Sequence, residues 1–189
     1  DLKDVQREHL HEFWDHTLRT AEWSKQLGQY LSPDEADALF VAGLLHNIGE
    51  LVIWQNFQTE KSKIDHLVGG GMRTLDAERA VLGGTHADLG GFLFSIWNLP
   101  KGFVQSAMFH HHNFAFLAAM PSVMTEAYIV HLAAALGEVD PRQPKPLYLE
   151  TLGLIEKPYR DILKIPAHLK LTDMAEQVET NLAGIRKIF

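Results

Sequence analysis

The stretch Ala42-Gly43-Leu44-Leu45-His46-Asn47-Ile48-Gly49 decides how this chain is read. It is an apolar run that halts at a histidine and an amide and then resumes. Upstream, Ala36, Leu39, Phe40, Gly43 and Leu44 fall at helical spacing, so a helix leads into His46, and a second stretch continues from Gly49 to Phe57. A polar group buried among such residues needs a partner. Other predicted helices, or their ends, offer His16, His86, His110-His111-His112 and His131. Imidazoles scattered this widely along a chain meet only inside a helical bundle, where helical proteins build metal sites.

Outward from that stretch, nearly every periodic segment reads as helix. Leu2 to Tyr30 places Leu10, Phe13, Trp14, Leu18, Ala21 and Leu27 close to a 3.6-residue period. Ser32-Pro33-Asp34-Glu35 reads as a start signal, with Ser32 as cap and Glu35 completing a capping box. Gly69-Gly70-Gly71 is a loop; Thr74 caps a helix over Leu75 to Leu82, which Gly83-Gly84 breaks. Thr85 caps Ala87 to Trp97, Pro100 opens Lys101 to His110, and a further helix is expected from Pro121 to Glu138. Asp140 to Pro146 holds three prolines and is expected to be an extended surface linker. Shorter helices follow, the last opened by an Asp173-x-x-Glu176 capping box and running to about Lys187. The tryptophans Trp14, Trp23, Trp54 and Trp97, with Phe92, Phe94, Phe103 and Phe109, read as core packing. No segment alternates as a strand does. The expected architecture is all-α: a helical core over residues 1–138, a Pro-rich linker over 139–146, and a C-terminal helical extension over 147–189 packed on the core.

Composition narrows the function. The 189 residues hold 17 Lys and Arg against 24 Asp and Glu, a net charge of −7, which argues against nucleic acid as partner because phosphate neutralisation needs clustered basic residues. Cysteine is absent, which removes disulfides, thiolate zinc sites and a cysteine nucleophile. No uninterrupted apolar run has the length of a membrane span, so no membrane partner is expected and the location is read as cytoplasmic. A chain of this length needs no metal to fold. A start at Asp1 rather than Met reads as a piece of something longer.

Five segments taken together resemble a known family. Phe13-Trp14-Asp15-His16-Thr17, Ala42 to Gly49, Gly84-Thr85-His86-Ala87-Asp88-Leu89-Gly90, Trp97-Asn98-Leu99-Pro100 and His110-His111 are similar in order and spacing to the HDOD domain, over roughly residues 9 to 138. HDOD domains are output relatives of the HD metal-dependent phosphohydrolases and the HD-GYP cyclic-di-GMP phosphodiesterases. The resemblance implies an HD-like helical bundle. It also implies a metal site: His16 binds one metal, the pair at His46-Asn47 binds and bridges, and His86, His110 and His111 serve a second metal, with a late-helix Asp closing the site and activated water attacking a phosphate ester.

The sequence departs from that pattern. The His-Asp pair is His46-Asn47, the late-helix Asp falls on Ala134, the Lys that often follows the pair is Glu50, and His112-Asn113-Phe114 stands where cyclic-di-GMP enzymes carry Gly-Tyr-Pro. Hard-metal binding scales with ligand charge, so two lost carboxylates weaken the site. Glu12, one turn before His16, could restore one. Asn47 reads as a group orienting His46. His131 reads as a satisfied core histidine, His112, His9 and His11 as surface, and His66 and His168 are given no role.

The expected function is therefore a non-catalytic signalling output module with no catalytic residue, acting on a signalling protein or an upstream sensory or receiver domain. No cofactor is required; iron, manganese or zinc is what the imidazoles would take. The alternative is a metal-dependent phosphohydrolase acting on a phosphomonoester, a nucleotide or a cyclic dinucleotide. Oligomeric state is left open.

Overall fold

A computed structural model describes the backbone of residues 2–186 and the side chains of residues 9–186. The described residues form helices α1 (Leu2–Leu31), α2 (Ala36–Leu45), α3 (Ile48–Asn56), α4 (Gln58–Gly69), α5 (Thr74–Leu82), α6 (His86–Ile96), α7 (Lys101–Phe109), α8 (Phe114–Ala119), α9 (Thr125–Gly137), α10 (Lys145–Glu156) and α11 (Leu171–Ile185), with short 3-10 turns at Pro33–Glu35 and Lys157–Tyr159. No strand occurs among them. The end of the last helix expected near Lys187 lies outside the described residues.

Helix α1 is the spine, packed along α2 and α9; α6 packs on α3 and α7, and α7 reaches α9. Close approach of α1 and α2 depends on Gly43, where an added Cβ would lie 2.6 Å from Ser24 Oγ and 2.9 Å from Ala21 Cα. The main core joins Trp23 and Leu27 of α1 to Ile129, Leu132 and Leu136 of α9, and continues without a break into Leu152, Tyr159, Val178 and Leu182 of the C-terminal helices. Each such side chain contributes about 1.5–3 kcal/mol through burial. A smaller cluster of Ile53, Ile64 and Ala77 ties α3, α4 and α5 together.

The local helix-start signals hold at some entries and not at others. Thr85 forms the capping box with Asp88 that opens α6. Ser32 makes no capping bond: the 3-10 turn closes through its backbone instead, Glu35 N–H donating to Ser32 O at 2.9 Å. Thr74 lies inside α5 rather than capping it. Asp173 lies in the first turn of α11, which starts two residues earlier because Leu171 is drawn into the core. The helix expected from Pro121 starts only at Thr125, since the Gln105 side chain donates to Ser122 O and accepts from Met124 N–H, holding the intervening backbone in turns. Segment 139–146 is turned rather than extended, and α10 already begins at Lys145, with Pro146 in its first turn where no N–H is needed.

Trp23 and Phe94 are core residues, whereas Phe92 (60% exposed), Trp97 (57%) and Trp14 (45%) face out. The segment Pro33–Asn56 reaches the mean hydropathy of a membrane span, 1.5, but it is two helices separated by the His46-Asn47 turn.

Candidate metal centre

The five family-like histidines converge, and four of them stand at helix ends. His16 comes from the middle of α1, His46 follows α2, His86 opens α6, His110 follows α7 and His111 comes next. Two of the ends are built alike. The ring of His46 folds back so that Nδ1–H donates to Gly43 O at 2.6 Å, and that of His110 does the same to Ala107 O at 2.7 Å. Each imidazole thereby satisfies a last-turn carbonyl that the helix leaves free. His86 is held by the buried carboxylate of Glu78, which accepts from its Nδ1 at 2.9 Å and from its backbone N–H at 2.9 Å.

These bonds fix the tautomers. A carbonyl or a carboxylate only accepts, so Nδ1 carries the proton in His46, His86 and His110, and Nε2 presents a lone pair. The Nε2 atoms face one another: His86 and His110 are 3.4 Å apart, His111 and His86 3.0 Å, His16 and His46 3.2 Å. The His46 and His110 rings, 4.7 Å apart and perpendicular, join the pair to the trio. Between His86 and His110 two lone pairs face each other and repel unless a cation lies between them. His111 and His16, whose tautomers no hydrogen bond fixes, can each turn an Nε2–H toward the neighbour's lone pair. Two imidazole nitrogens on one zinc-like ion stand about 2.9–3.4 Å apart. The spacing and chemistry of His86, His110 and His111 therefore fit a divalent metal.

Electrostatics agree with neutral ligands. Burial, then the neighbouring imidazole of His16, holds His46 well below the usual histidine range; burial, then His111 and His46, does the same to His110. His111 is exposed as a residue but turns Nε2 inward, and desolvation of its ring followed by His86 lowers its pKa as well.

The trio adjoins a cavity of about 480 Å³ lined by His16, Asn47, Trp54, Arg73, His111 and Glu138 among others. Three buried polar atoms of lining residues, His16 Nδ1, Asn47 Oδ1 and Trp54 Nε1, have no hydrogen-bond partner in the protein.

One sequence reading does not hold here, and a second holds in part. Glu12 lines the same cavity as His16, His86 and His111, but it is exposed, lies 3.6 Å from His9 Nδ1 and is not one of the clustered donors. Asn47 does not orient His46, a task taken by the Gly43 carbonyl; its amide donates to Glu50 Oε2 at 2.6 Å. Two carboxylates were missed. Glu78 sits between Leu75 and Leu82 at helical spacing, so an acid on an apolar face was the legible signal. Glu138, one turn beyond Ala134, brings Oε1 to 3.2 Å from His16 Nδ1, without the alignment of a hydrogen bond. His131 stands apart from the trio with both ring nitrogens partnered, as a core histidine should.

Comparison with known proteins agrees with this architecture. The HDOD domain model matches residues 2–113. No curated protein matches the chain. A "Putative phosphohydrolase" from Shewanella amazonensis SB2B superposes with a TM-score of 0.71 at 23% identity, over 89% of this chain and 59% of that one. An HDOD domain protein with unknown function from Geobacter sulfurreducens superposes with a TM-score of 0.64 at 20% identity, over 93% of this chain and 60% of that one. The chain thus spans about three-fifths of either protein, and the likeness is one of fold.

Proposed function

The chain belongs to the HDOD family, relatives of the HD phosphohydrolases, and from that premise we propose that it is a bacterial signal-transduction output module, cytoplasmic and acting by protein contact, whose histidine centre seats a metal without hydrolysing phosphate. One observation carries the reading. Among the described residues, the single set of three or more metal-type donors within 4.8 Å of one another is His86, His110 and His111, with no carboxylate in it. Two divalent ions placed side by side repel, and a bridging anion offsets that repulsion. At the bridging position the chain offers Asn47, a neutral amide whose N–H donates to Glu50 and whose unpartnered Oδ1 carries no formal charge.

Contact with a signalling protein or a sensory or receiver domain is supported by the outer face of α6. Phe92 (60% exposed) and Ile96 (56%), one turn apart, are exposed on it, and Trp97 (57%) is exposed just past its end. Large apolar side chains grouped at a surface mark interaction sites more often than chance.

The phosphohydrolase reading keeps one observation in its favour. Three imidazoles beside an open cavity resemble a catalytic zinc set, which leaves a position for substrate. An ion held there would supply Lewis acidity toward a phosphoryl oxygen. The two readings separate in one experiment. The purified protein is loaded with Fe2+, Mn2+ or Zn2+, its metal content is measured, and bis(p-nitrophenyl) phosphate hydrolysis is followed beside His86→Ala. Bound metal without turnover is expected; turnover that vanishes in His86→Ala replaces the signalling reading with the enzymatic one. Paired Phe92→Ser and Trp97→Ser changes are expected to abolish signalling output in cells with metal content unchanged.

A further inference from the structure

The loop that carries His110 and His111 is tied to the C-terminal extension through a directed pair of hydrogen bonds. The carbonyl of His112 accepts from His131 Nε2 at 2.7 Å. A carbonyl cannot donate, so the proton of His131 is on Nε2 and Nδ1 is an acceptor. Nδ1 receives the Tyr159 hydroxyl. The direction is therefore set from end to end: Tyr159 O–H to His131 Nδ1, His131 Nε2–H to His112 O. Both side chains are buried, His131 at 7% and Tyr159 at 3% exposure. The Tyr159 ring also packs against Phe114, the first residue after the loop, at 4.5 Å between centroids. One tyrosine of the extension thus grips the segment on both sides of Asn113.

We propose that Tyr159 and His131 are positioning residues of the metal centre, so that the C-terminal extension sets where His110 and His111 point. The inference rests on the reading of the trio as a metal site for its affinity test, but not for its test on the metal-free protein. The geometry requires it: His111 reaches His86 at 3.0 Å from a turn outside any helix, and among the described residues the His112 carbonyl is the point at which a side chain of α9 holds that turn. Partners around ligating histidines tune affinity by orienting them.

The test uses His131→Leu, His131→Gln and Tyr159→Phe in the full chain, with Co2+ as probe. His131→Leu leaves the His112 carbonyl without a donor and is expected to weaken Co2+ binding about 10–100-fold. His131→Gln places an amide N–H near the lost Nε2–H and is expected to recover most of that loss. Tyr159→Phe keeps the bond to His112 but frees the His131 ring to change tautomer, with a loss of about fivefold. A role in stability alone would lower the melting temperature of His131→Leu and leave its Co2+ affinity as in wild type, and that result overturns the proposal, as does failure of His131→Gln to rescue. If the wild type binds no Co2+, imidazole 15N shifts of the metal-free proteins decide. Changed His110 and His111 signals in His131→Leu, restored in His131→Gln, support the proposal; unchanged signals overturn it.

Discussion

Glu78 holds His86 twice, its carboxylate accepting the ring Nδ1–H and the backbone N–H at 2.9 Å each. The two residues sit on successive helices, and both are almost wholly buried. The bond fixes the tautomer of His86 and locks the start of α6 against α5. Glu78→Ala removes the acceptor and leaves two buried donors unpaired, an expected loss of about 2–4 kcal/mol in urea unfolding. Glu78→Gln retains one acceptor oxygen and should lose less. Metal affinity should fall most in Glu78→Ala, where nothing accepts from Nδ1–H and His86 is no longer held in one tautomer. A Glu78→Ala protein as stable as wild type would show that His86 does not depend on this carboxylate.

Gly49 makes the crossing of α3 and α6 close enough for the centre to form. A Cβ built there would lie 2.0 Å from His86 O and 2.9 Å from Gly90 N, which are backbone atoms that cannot rotate away. Gly49→Ala is expected to destabilise by about 1–3 kcal/mol or to push His86 away from His46. Gly90→Ala is the control: its Cβ would meet Ala107 Cβ at an ordinary 3.5 Å. Equal stability of the two variants in denaturant would show that α3 and α6 are not in this register.

The fold was legible because the carriers of the signal are local. The helical spacing of Leu39, Gly43 and His46, the cap at Thr85 and the stop at Pro100 each act within one or two turns, and the structure has helices where they point. The five histidines were legible through their order along the chain. Their partners were not. Gly43 O and Ala107 O are backbone atoms, anonymous in a sequence. Glu78 is eight residues from His86 across a helix break, and Glu138 reaches His16 across the bundle. Helical spacing from His16 put Glu12 on the cavity side of α1, but could not show that its carboxylate stays exposed beside His9. The outward turn of Phe92 and Trp97 was hidden for a related reason: aromatic residues at helical spacing look alike whether the face meets a neighbour or water.

Acid should unfold the metal-free protein early. His46 and His110 have pKa values held well below the ordinary 6.5, first by burial and then by neighbouring imidazoles. A base whose pKa is lower folded than unfolded takes up its proton more readily in the unfolded chain. Above the unfolded pKa both states are neutral and stability is unaffected. Below about 6.5 the unfolded state binds the extra protons, and each histidine costs about 1.4 kcal/mol per pH unit until its folded pKa is reached. Urea midpoints should be flat from pH 8 to 7 and fall steeply from pH 6 to 5. His111 and His131 are lowered by burial as well, so the slope should fall by about a quarter in a folded His46→Asn variant; a slope unchanged there would place the acid sensitivity elsewhere.

Asn47→Asp restores the acid that the family resemblance leads one to expect, and its cost without metal is readable from Glu50. The Asn47 amide now donates to Glu50 Oε2 at 2.6 Å, and its Oδ1 is buried without a protein partner. An aspartate there would set two carboxylates against each other. The metal-free variant should lose about 1–2 kcal/mol at neutral pH and recover as acid protonates the pair. With metal the sign reverses, because the new charge lies on the cavity shared with His16 and His111. A tenfold gain in Mn2+ affinity adds about 1.4 kcal/mol of linkage at saturating ion. The melting temperature of Asn47→Asp should therefore start below wild type without Mn2+ and climb further on titration. If the two proteins respond to Mn2+ equally, the amide at position 47 is not what separates this centre from a charged one.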